Sequence, residues 1–195
     1  MTESNVLELF NKTGAYLKGH FRLTSGLHSS EYLQCALVLA HPVHAQEFGI
    51  ELAAKLQAIS PEQKINVVVS PAIGGLIIGH EVARALGVKF LFTERDASGK
   101  MVLRRGFRID PFDRAVVVED VITTGGSSRE VIDLLRAAGA NAIAAGSVID
   151  RSGGRADLGV KRAALATLSV ISYSEEVCPM CQQGLPVQKP GSRPA

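Results

Sequence analysis

The stretch that decides the fold is Val116-Val117-Val118-Glu119-Asp120-Val121-Ile122-Thr123-Thr124-Gly125-Gly126-Ser127-Ser128. Its β-branched beginning, bounded by Arg114 and by the Glu119-Asp120 pair, is typical of a strand buried in a parallel sheet. Such a strand delivers two carboxylates at its carboxyl end. The following loop is rich in hydroxyls and glycines, and Ser127 with Glu130 three residues later predicts a capping box that starts a helix.

This loop combines the features of a site for a phosphate monoester. Unpaired amides and the positive end of a helix dipole attract an anion, and the glycines let it approach the backbone. The adjacent carboxylates can accept hydrogen bonds from two vicinal hydroxyls. A ribose 5-phosphate moiety satisfies both requirements. The chain has no Walker loop and no dinucleotide-binding fingerprint.

Length and composition limit the remaining classes. At 195 residues and 46% hydrophobic content, the chain is long enough for one substantial core. A net charge of +2 with mixed signs argues against a nucleic-acid partner. No apolar run reaches the length of a membrane span and no leader is visible at the first residues, so we expect a cytoplasmic protein without a membrane partner. The three cysteines do not form a disulfide framework.

Along the chain, strands and helices alternate. This pattern predicts the α/β class, with a mostly parallel sheet flanked by helices and a small N-terminal hood outside it. We expect a single domain over residues 1–175, with the hood at 1–41, and a C-terminal tail at 176–195 that contains a CPMC motif, with little structure from residue 182 onward. Helices are predicted at 5–13, 42–59, 76–86 and 128–138, and strands at 65–69, 88–92, 114–119, 142–149 and 165–170.

Three further loops follow predicted strands and should meet at the same edge of the sheet. The glycine-containing loop at 70–75 can hold a second phosphate. Residues 94–108 carry a local excess of positive charge and predict a mobile cationic lid, with Arg95 and Lys100 as its preferred functional residues. Arg151 follows another strand, and its planar guanidinium matches a carboxylate.

The run of hydrophobic residues, Glu-Asp, two small residues and Thr-Thr-Gly-Gly-Ser resembles the phosphoribosyl diphosphate (PRPP) motif of the type I phosphoribosyltransferases. Across nearly the whole chain, the resemblance is to the short orotate phosphoribosyltransferases that carry Leu-Arg-Arg-Gly-Phe (103–107) and a terminal Cys-Pro-x-Cys. The resemblance implies a pentosyltransferase that converts orotate and PRPP into orotidine 5-phosphate and pyrophosphate in pyrimidine (UMP) biosynthesis. It also implies Mg²⁺, held mainly through the substrate without direct protein ligands, and a homodimer with shared active sites.

The same resemblance assigns roles to individual residues. It implies that Arg95, Lys100 and Asp120 are catalytic and that Thr123 and Arg151 bind orotate. Thr24, Ser25, Gly26 and Tyr32 are weaker candidates for the base pocket. Gly74 stands where related enzymes often carry a lysine. The PRPP-binding residues implied are Ala72, Gly74, Gly75, Glu119, Asp120, Val121, Ile122, Thr123, Thr124, Gly125, Gly126 and Ser127.

Two alternatives remain open from the residues. A phosphoribosyltransferase for a purine or for uracil would share the motif, and Arg151 discriminates against it because those bases lack a carboxylate. A regulator that binds PRPP as a signal would share the fold. Cys178 and Cys181 have the spacing of half a zinc site, but no second pair is evident, and the five histidines show no ligand spacing with them.

Overall fold

The structure is a computed structural model that describes residues 1–23 and 25–190. A six-stranded sheet forms its centre, in the order β5-β4-β3-β6-β7-β8. All neighbours in this sheet are parallel except β5, which is antiparallel to β4. The strands are β3 (Val67–Pro71), β4 (Lys89–Arg95), β5 (Met101–Leu103), β6 (Arg114–Ile122), β7 (Asn141–Asp150) and β8 (Lys161–Thr167).

Helices cover both faces of this sheet. They are α1 (Glu3–Lys12), α2 (Cys35–Leu39), α3 (Pro42–Ile59), α4 (Gly75–Leu86), α5 (Gly126–Ala137) and the short α6 (Pro179–Gln182). The predicted α/β class with a mostly parallel sheet is therefore confirmed.

The buried strands explain the unbroken apolar runs of the sequence. On β3, Val68 packs in the cluster that contains Phe48 of α3 and Ile78 of α4. Its neighbours Val67 and Val69 pack in the second cluster, which contains residues of α5. Both faces of the strand are covered, so each side chain is buried whichever way it points. The carboxyl ends of β3, β6 and β7 are thereby fixed side by side.

The hood is a separate antiparallel pair, β1 (Tyr16–Arg22) and β2 (His28–Leu33). It stands outside the main sheet, as the sequence predicts. Cys35 begins α2, where it is buried together with Val38 and Leu39.

The segment predicted as a lid loop is more regular than its polar composition suggests. β4 continues to Arg95, and β5 returns antiparallel to it. The Asp96 side chain accepts hydrogen bonds from the amides of Ser98 and Lys100, which fixes the turn between these strands. Met101 is buried and gives the returning strand its anchor. A hairpin therefore occupies the first part of the predicted loop.

The C-terminal segment also packs against the molecule. After a 3-10 turn at Glu175–Val177 and helix α6, Gln188 pairs with β1: its N–H donates to His20 O, and its carbonyl accepts from Arg22 N–H, both at 2.8 Å. Residues 183–190 contain no helix or strand, but their backbone is tied to the hood. Within the described part of the chain, no helix is both long and apolar enough to cross a membrane.

Candidate active site

A cleft of about 800 Å³ lies at the carboxyl ends of the parallel strands. It collects residues from the ends of β6 and β7, the loop before α4, the start of α5, the hood and the C-terminal segment. Its lining includes Arg22, Leu23, Ser25, Tyr32, Gln34, Ile73, Gly74, Arg95, Glu119, Asp120, Val121, Thr123, Thr124, Gly125, Gly126, Ser127, Glu130, Arg151, Lys189 and Pro190.

The start of α5 faces this cleft without a side-chain cap. The N-cap residue is Gly125, and no side chain accepts a hydrogen bond from the first turn. The predicted capping box at Ser127 is wrong, because the helix begins at Gly126 and Ser127 already lies in its first turn. The consequence favours anion binding, since the first amides of the helix remain available to a ligand.

Gly125 is required at its position for two reasons. Its φ of +79° lies in the left-handed region that favours glycine, and a Cβ there would lie 2.4 Å from Leu158 Cδ2. The loop therefore passes close to Leu158, a fully buried residue, and turns sharply into α5.

Two half-buried carboxylates lie beside the loop. Burial raises the pKa of Glu119 to about 7, against the lowering effect of a hydrogen bond that Ser128 Oγ donates to it. Burial also raises the pKa of Asp120, whose Oδ1 accepts the Val121 N–H at 2.9 Å. Neither acid has a salt-bridge partner among the described residues, so the pair presents acceptor oxygens to a ligand.

The loop before α4 touches this acidic pair. A Cβ at Gly74 would lie 2.5 Å from Asp120 Oδ1. Gly75 packs inward instead, where a Cβ would lie 2.9 Å from both Ser70 Cβ and Val118 O. The two glycines thus have different tasks: Gly74 lines the cleft beside Asp120, and Gly75 lets α4 approach the sheet.

Arg151 lies at the end of β7 and points to the hood side of the cleft. Its guanidinium carbon lies 6.0 Å from the centre of the Tyr32 ring. Its Nε is buried and has no hydrogen-bond partner among the described residues, and burial lowers the pKa of the guanidinium. The neighbouring carboxylate of Asp150 forms its ion pair with Arg162. The Arg151 guanidinium therefore faces the cleft with a buried N–H that can donate to a ligand.

Two arginines of the predicted lid form ion pairs with glutamates of the same chain. Arg95 donates to both carboxylate oxygens of Glu130, at 2.8 and 3.1 Å, and this hydrogen bonding raises its pKa. Arg105 similarly donates to Glu94, with both distances 2.8 Å. Lys100 is exposed near the turn of the hairpin.

A second cluster of functional side chains lies apart from these residues. His20, His28, Cys178 and Cys181 bring their nitrogen and sulfur atoms within 4.8 Å of one another. The expectation that the histidines have no relation to the cysteines is therefore wrong. Tertiary structure brings together the hood and a helix that lie at opposite ends of the sequence.

Comparisons with known proteins agree with this geometry. Residues 43–163 match the family model of the phosphoribosyl transferase domain. The orotate phosphoribosyltransferase of Pelotomaculum thermopropionicum is 54% identical over 99% of both chains, and that of Desulforamulus reducens is 50% identical over 99% of this chain and 98% of the relative. The chain belongs to the orotate phosphoribosyltransferase family.

A solved orotate phosphoribosyltransferase, from Aeropyrum pernix, has a similar fold. It superposes with a TM-score of 0.69 at 28% identity, over 84% of this chain and 93% of the other. The similarity extends well beyond the 121 residues of the domain model, from 43 to 163, and so includes more than the central sheet.

Most of the residues expected from the orotate phosphoribosyltransferase motifs meet in the cleft. Ala72, Gly75, Ile122 and Lys100 do not belong to its lining. Ile122 is buried in the core, where its carbonyl accepts the Arg151 N–H, and the Ala72 N–H donates to Thr93 O. Thr24 lies outside the described residues. Gly26 does not line the cleft either. The lining residues that were expected are Ser25, Tyr32, Gly74, Arg95, Glu119, Asp120, Val121, Thr123, Thr124, Gly125, Gly126, Ser127 and Arg151.

Some lining residues were not predicted from the sequence. Arg22, Gln34 and Lys189 line the cleft, yet none belongs to a recognisable motif. Arg22 alternates with the buried Phe21 on β1, which is the one local sign that it faces outward. Lys189 carries no such sign, because the C-terminal segment is placed by pairing with β1 and not by a pattern of its own.

Proposed function

We propose that the protein transfers ribose 5-phosphate from PRPP to orotate, giving orotidine 5-phosphate and pyrophosphate in de novo pyrimidine (UMP) biosynthesis. The observation that carries this proposal is the composition of one cleft. An uncapped helix N-terminus, two carboxylates and a buried guanidinium with an unpartnered Nε all face it. The 50–54% identity to orotate phosphoribosyltransferases over the full chain supports the same reaction.

The 5-phosphate binds at the start of α5. Amides of residues 125–127, together with the hydroxyls of Thr123, Thr124 and Ser127, donate to its oxygens, and the helix dipole adds a favourable field. Glu119 and Asp120 then accept hydrogen bonds from the 2- and 3-hydroxyls of the ribose. Binding the sugar at both ends orients its C1 toward the base, which lowers the entropic part of the barrier.

Pyrophosphate lies against the loop at 72–75, beside Gly74. This loop has no cationic side chain, and Arg95 is held by Glu130. Mg²⁺ fits such a site, because the ion binds phosphate oxygens readily and Glu119 and Asp120 supply further oxygens nearby. When bound, mainly through PRPP, the ion supplies positive charge to the leaving pyrophosphate.

Orotate binds between Tyr32 and the end of β7. Arg151 donates two parallel hydrogen bonds to its carboxylate, and Thr123 contacts the same base. A carboxylate satisfies the buried Arg151 Nε, which otherwise lacks a partner among the described residues. The desolvated guanidinium gains more from this contact than an exposed one would.

The reaction needs no covalent nucleophile on the protein. A ring nitrogen of orotate attacks C1 as the C1–O bond to pyrophosphate breaks, and the proton of that nitrogen passes to the solvent. The transition state resembles an oxocarbenium ion. Arg95, released from Glu130, and Lys100 of the lid neutralise the leaving group and exclude water. We further propose that the protein is a cytoplasmic homodimer, in which the lid of one subunit closes over the active site of the partner.

A direct test offers PRPP and Mg²⁺ with orotate, uracil, hypoxanthine or adenine in separate reactions and measures the release of pyrophosphate. We expect turnover with orotate alone. Turnover with another base would preserve the PRPP site but reject the assignment of the base pocket. PRPP binding without turnover on any base would favour the regulator that binds PRPP as a signal.

Arg151→Ala tests the base pocket itself. Loss of a buried charged hydrogen-bond partner costs about 2–4 kcal/mol, so we expect the KM for orotate to rise roughly 30- to 1,000-fold. The KM for PRPP should change little, which steady-state kinetics with each substrate varied in turn will show. Arg155→Ala removes an exposed arginine of the same loop that does not line the cleft, and it serves as the matched control. An equal loss for both substrates would remove Arg151 from the orotate site.

A further inference from the structure

The cluster of His20, His28, Cys178 and Cys181 stands outside the chemistry proposed above. His20 and His28 lie on the two strands of the hood, and both side chains are almost fully buried. Cys178 and Cys181 lie at the start of α6 and one turn into it, and Cys178 is fully buried. Among the residues that the structure describes, this is the one group of three or more ligand side chains arranged to hold a metal.

The separations between its atoms resemble those of a tetrahedral zinc site. Zinc–sulfur bonds of about 2.3 Å and zinc–nitrogen bonds of about 2.0–2.1 Å place ligand atoms roughly 3.3–3.8 Å apart. His20 Nε2 lies 3.6 Å from both sulfurs, and Cys181 Sγ lies 3.2 Å from His28 Nδ1. The two imidazole nitrogens are 2.8 Å apart, so coordination would separate them by about half an ångström.

The surroundings of His20 prepare one nitrogen for a metal. Leu185 O lies 2.8 Å from Nδ1 of His20, and a carbonyl can only accept. Nδ1 therefore carries the proton, and the lone pair of Nε2 is left for the cluster, where His28 Nδ1 lies at 2.8 Å and the two sulfurs at 3.6 Å. A carbonyl that accepts from the remote nitrogen is the usual outer partner of a metal-bound histidine, because it fixes both the tautomer and the ring orientation.

We propose that these four side chains bind a structural Zn²⁺. Two cysteines and two histidines are a ligand set that zinc favours, and four protein ligands leave no open position for a substrate. Burial of three of the four residues agrees with a closed site. Binding converts both thiols to thiolates and releases their two protons to the solvent.

The metal would cross-link the hood and the C-terminal segment, which lie far apart in the sequence: His20 and Cys178 are 158 residues apart. Gln188 pairs with β1 on one side of the cluster, and Tyr173 pairs with His28 on the other. The Tyr173 N–H donates to His28 O at 2.9 Å, and the His28 N–H donates to Tyr173 O at 2.8 Å. Lys189 and Pro190 directly follow Gln188 in the sequence, and they line the cleft together with Arg22 and Leu23. Zinc thereby holds the wall of the cleft that the hood and the C-terminal segment build together.

The test uses the full-length protein, purified under reducing conditions. Metal analysis should find about one zinc per chain, and the metal-depleted protein should take up one equivalent of Co²⁺. Bound Co²⁺ should show the visible bands of a tetrahedral ion and a thiolate-to-cobalt charge-transfer band. Neither readout depends on turnover, so failure of the zinc proposal and failure of the proposed reaction are distinguishable.

Variants locate the site. Cys181→Ser and His28→Asn should each lower zinc affinity by at least about 100-fold, since even outer partners of a metal ligand are worth about 10- to 100-fold. Cys35→Ala and His80→Asn alter a cysteine and a histidine outside the cluster, and they should retain one zinc. Wild-type protein that binds no Co²⁺ while thiol titration shows Cys178 and Cys181 to be reduced would overturn the proposal. Equal zinc content in all four variants would do the same.

Discussion

One wall of the cleft comes from a single piece of chain, whereas another is assembled from pieces far apart in sequence. The first, which we call the motif wall, is formed by residues 119–121 and 123–127. The second, the hood wall, joins Arg22, Leu23, Ser25 and Tyr32 to Lys189 and Pro190. The contact between Cys178 and His20 spans 158 residues.

This difference shows two ways of making a binding surface rigid. The motif wall is fixed by its neighbours in the sheet, because β6 is paired on both sides and its side chains are buried on both faces. The hood has only two strands, and such a pair is marginally stable unless it packs on something else. The hood wall therefore depends on the pairing of Gln188 with β1 and on the proposed zinc. Substitutions in each wall should separate these two sources of rigidity.

The largest effect should come from Gly125→Ala in the motif wall. Alanine would have to adopt a left-handed conformation and collide with Leu158, which together cost about 2–6 kcal/mol. Urea unfolding should show this loss of stability. Gly126→Ala is the matched control, since its Cβ would meet nothing closer than Thr124 Oγ1 at 3.7 Å, and its stability should change by less than about 1 kcal/mol. Similar values for both variants would mean that the turn is not rigid.

Glu119→Gln tests how much the burial of an ionised carboxylate in the motif wall lowers the free energy of unfolding. Burial raises the pKa of Glu119 from 4.5 to about 7, so between these values the folded protein holds a proton that the unfolded chain releases. The stability from this group is present below pH 4.5 and falls as the pH rises toward 7, by up to about 3 kcal/mol. Unfolding free energies at pH 5 and pH 8 should therefore differ less in Glu119→Gln than in the wild type.

Glu94→Gln is the control for this pH effect. A hydrogen bond from Arg105 lowers the pKa of Glu94, so this group titrates below the pH window and its removal should leave the slope unchanged. If the free energy of unfolding instead changed equally with pH in the wild type and in Glu119→Gln, that result would show that Glu119 is ionised throughout this pH range and that its burial does not destabilise the folded protein.

Local chemistry explains how far the sequence predicts this molecule. Strands β3, β4, β6 and β7, the loop at 123–127 and the start of α3 at Pro42 are specified by neighbouring residues, so periodicity and turn residues reveal them. Strand β5 was not predicted, because it has only 3 residues and lies within the mostly polar segment at 94–108. The prediction that Ser127 caps α5 was wrong because the left-handed conformation of Gly125 ends the loop two residues earlier, so that the helix begins at Gly126. The His20–Cys178 contact was missed for another reason: no spacing rule connects residues that only the folded hood brings together.

The smallest effect should come from Gln188→Pro, which tests whether the hood wall depends on main-chain pairing. Proline cannot donate the hydrogen bond that Gln188 N–H makes to His20 O, a loss of about 1 kcal/mol. Because Lys189 and Pro190 follow directly, we expect the KM of a substrate in the cleft to rise by up to about fivefold. Hydrogen exchange at the Arg22 amide, which donates to Gln188 O, should accelerate, while amides of β6 exchange as before. Gln188→Ala keeps the main-chain bonds and removes only an exposed side chain, so it should behave as the wild type. If both variants match the wild type, the C-terminal segment is held by its side chains, and the proposed zinc site alone would have to position the hood wall.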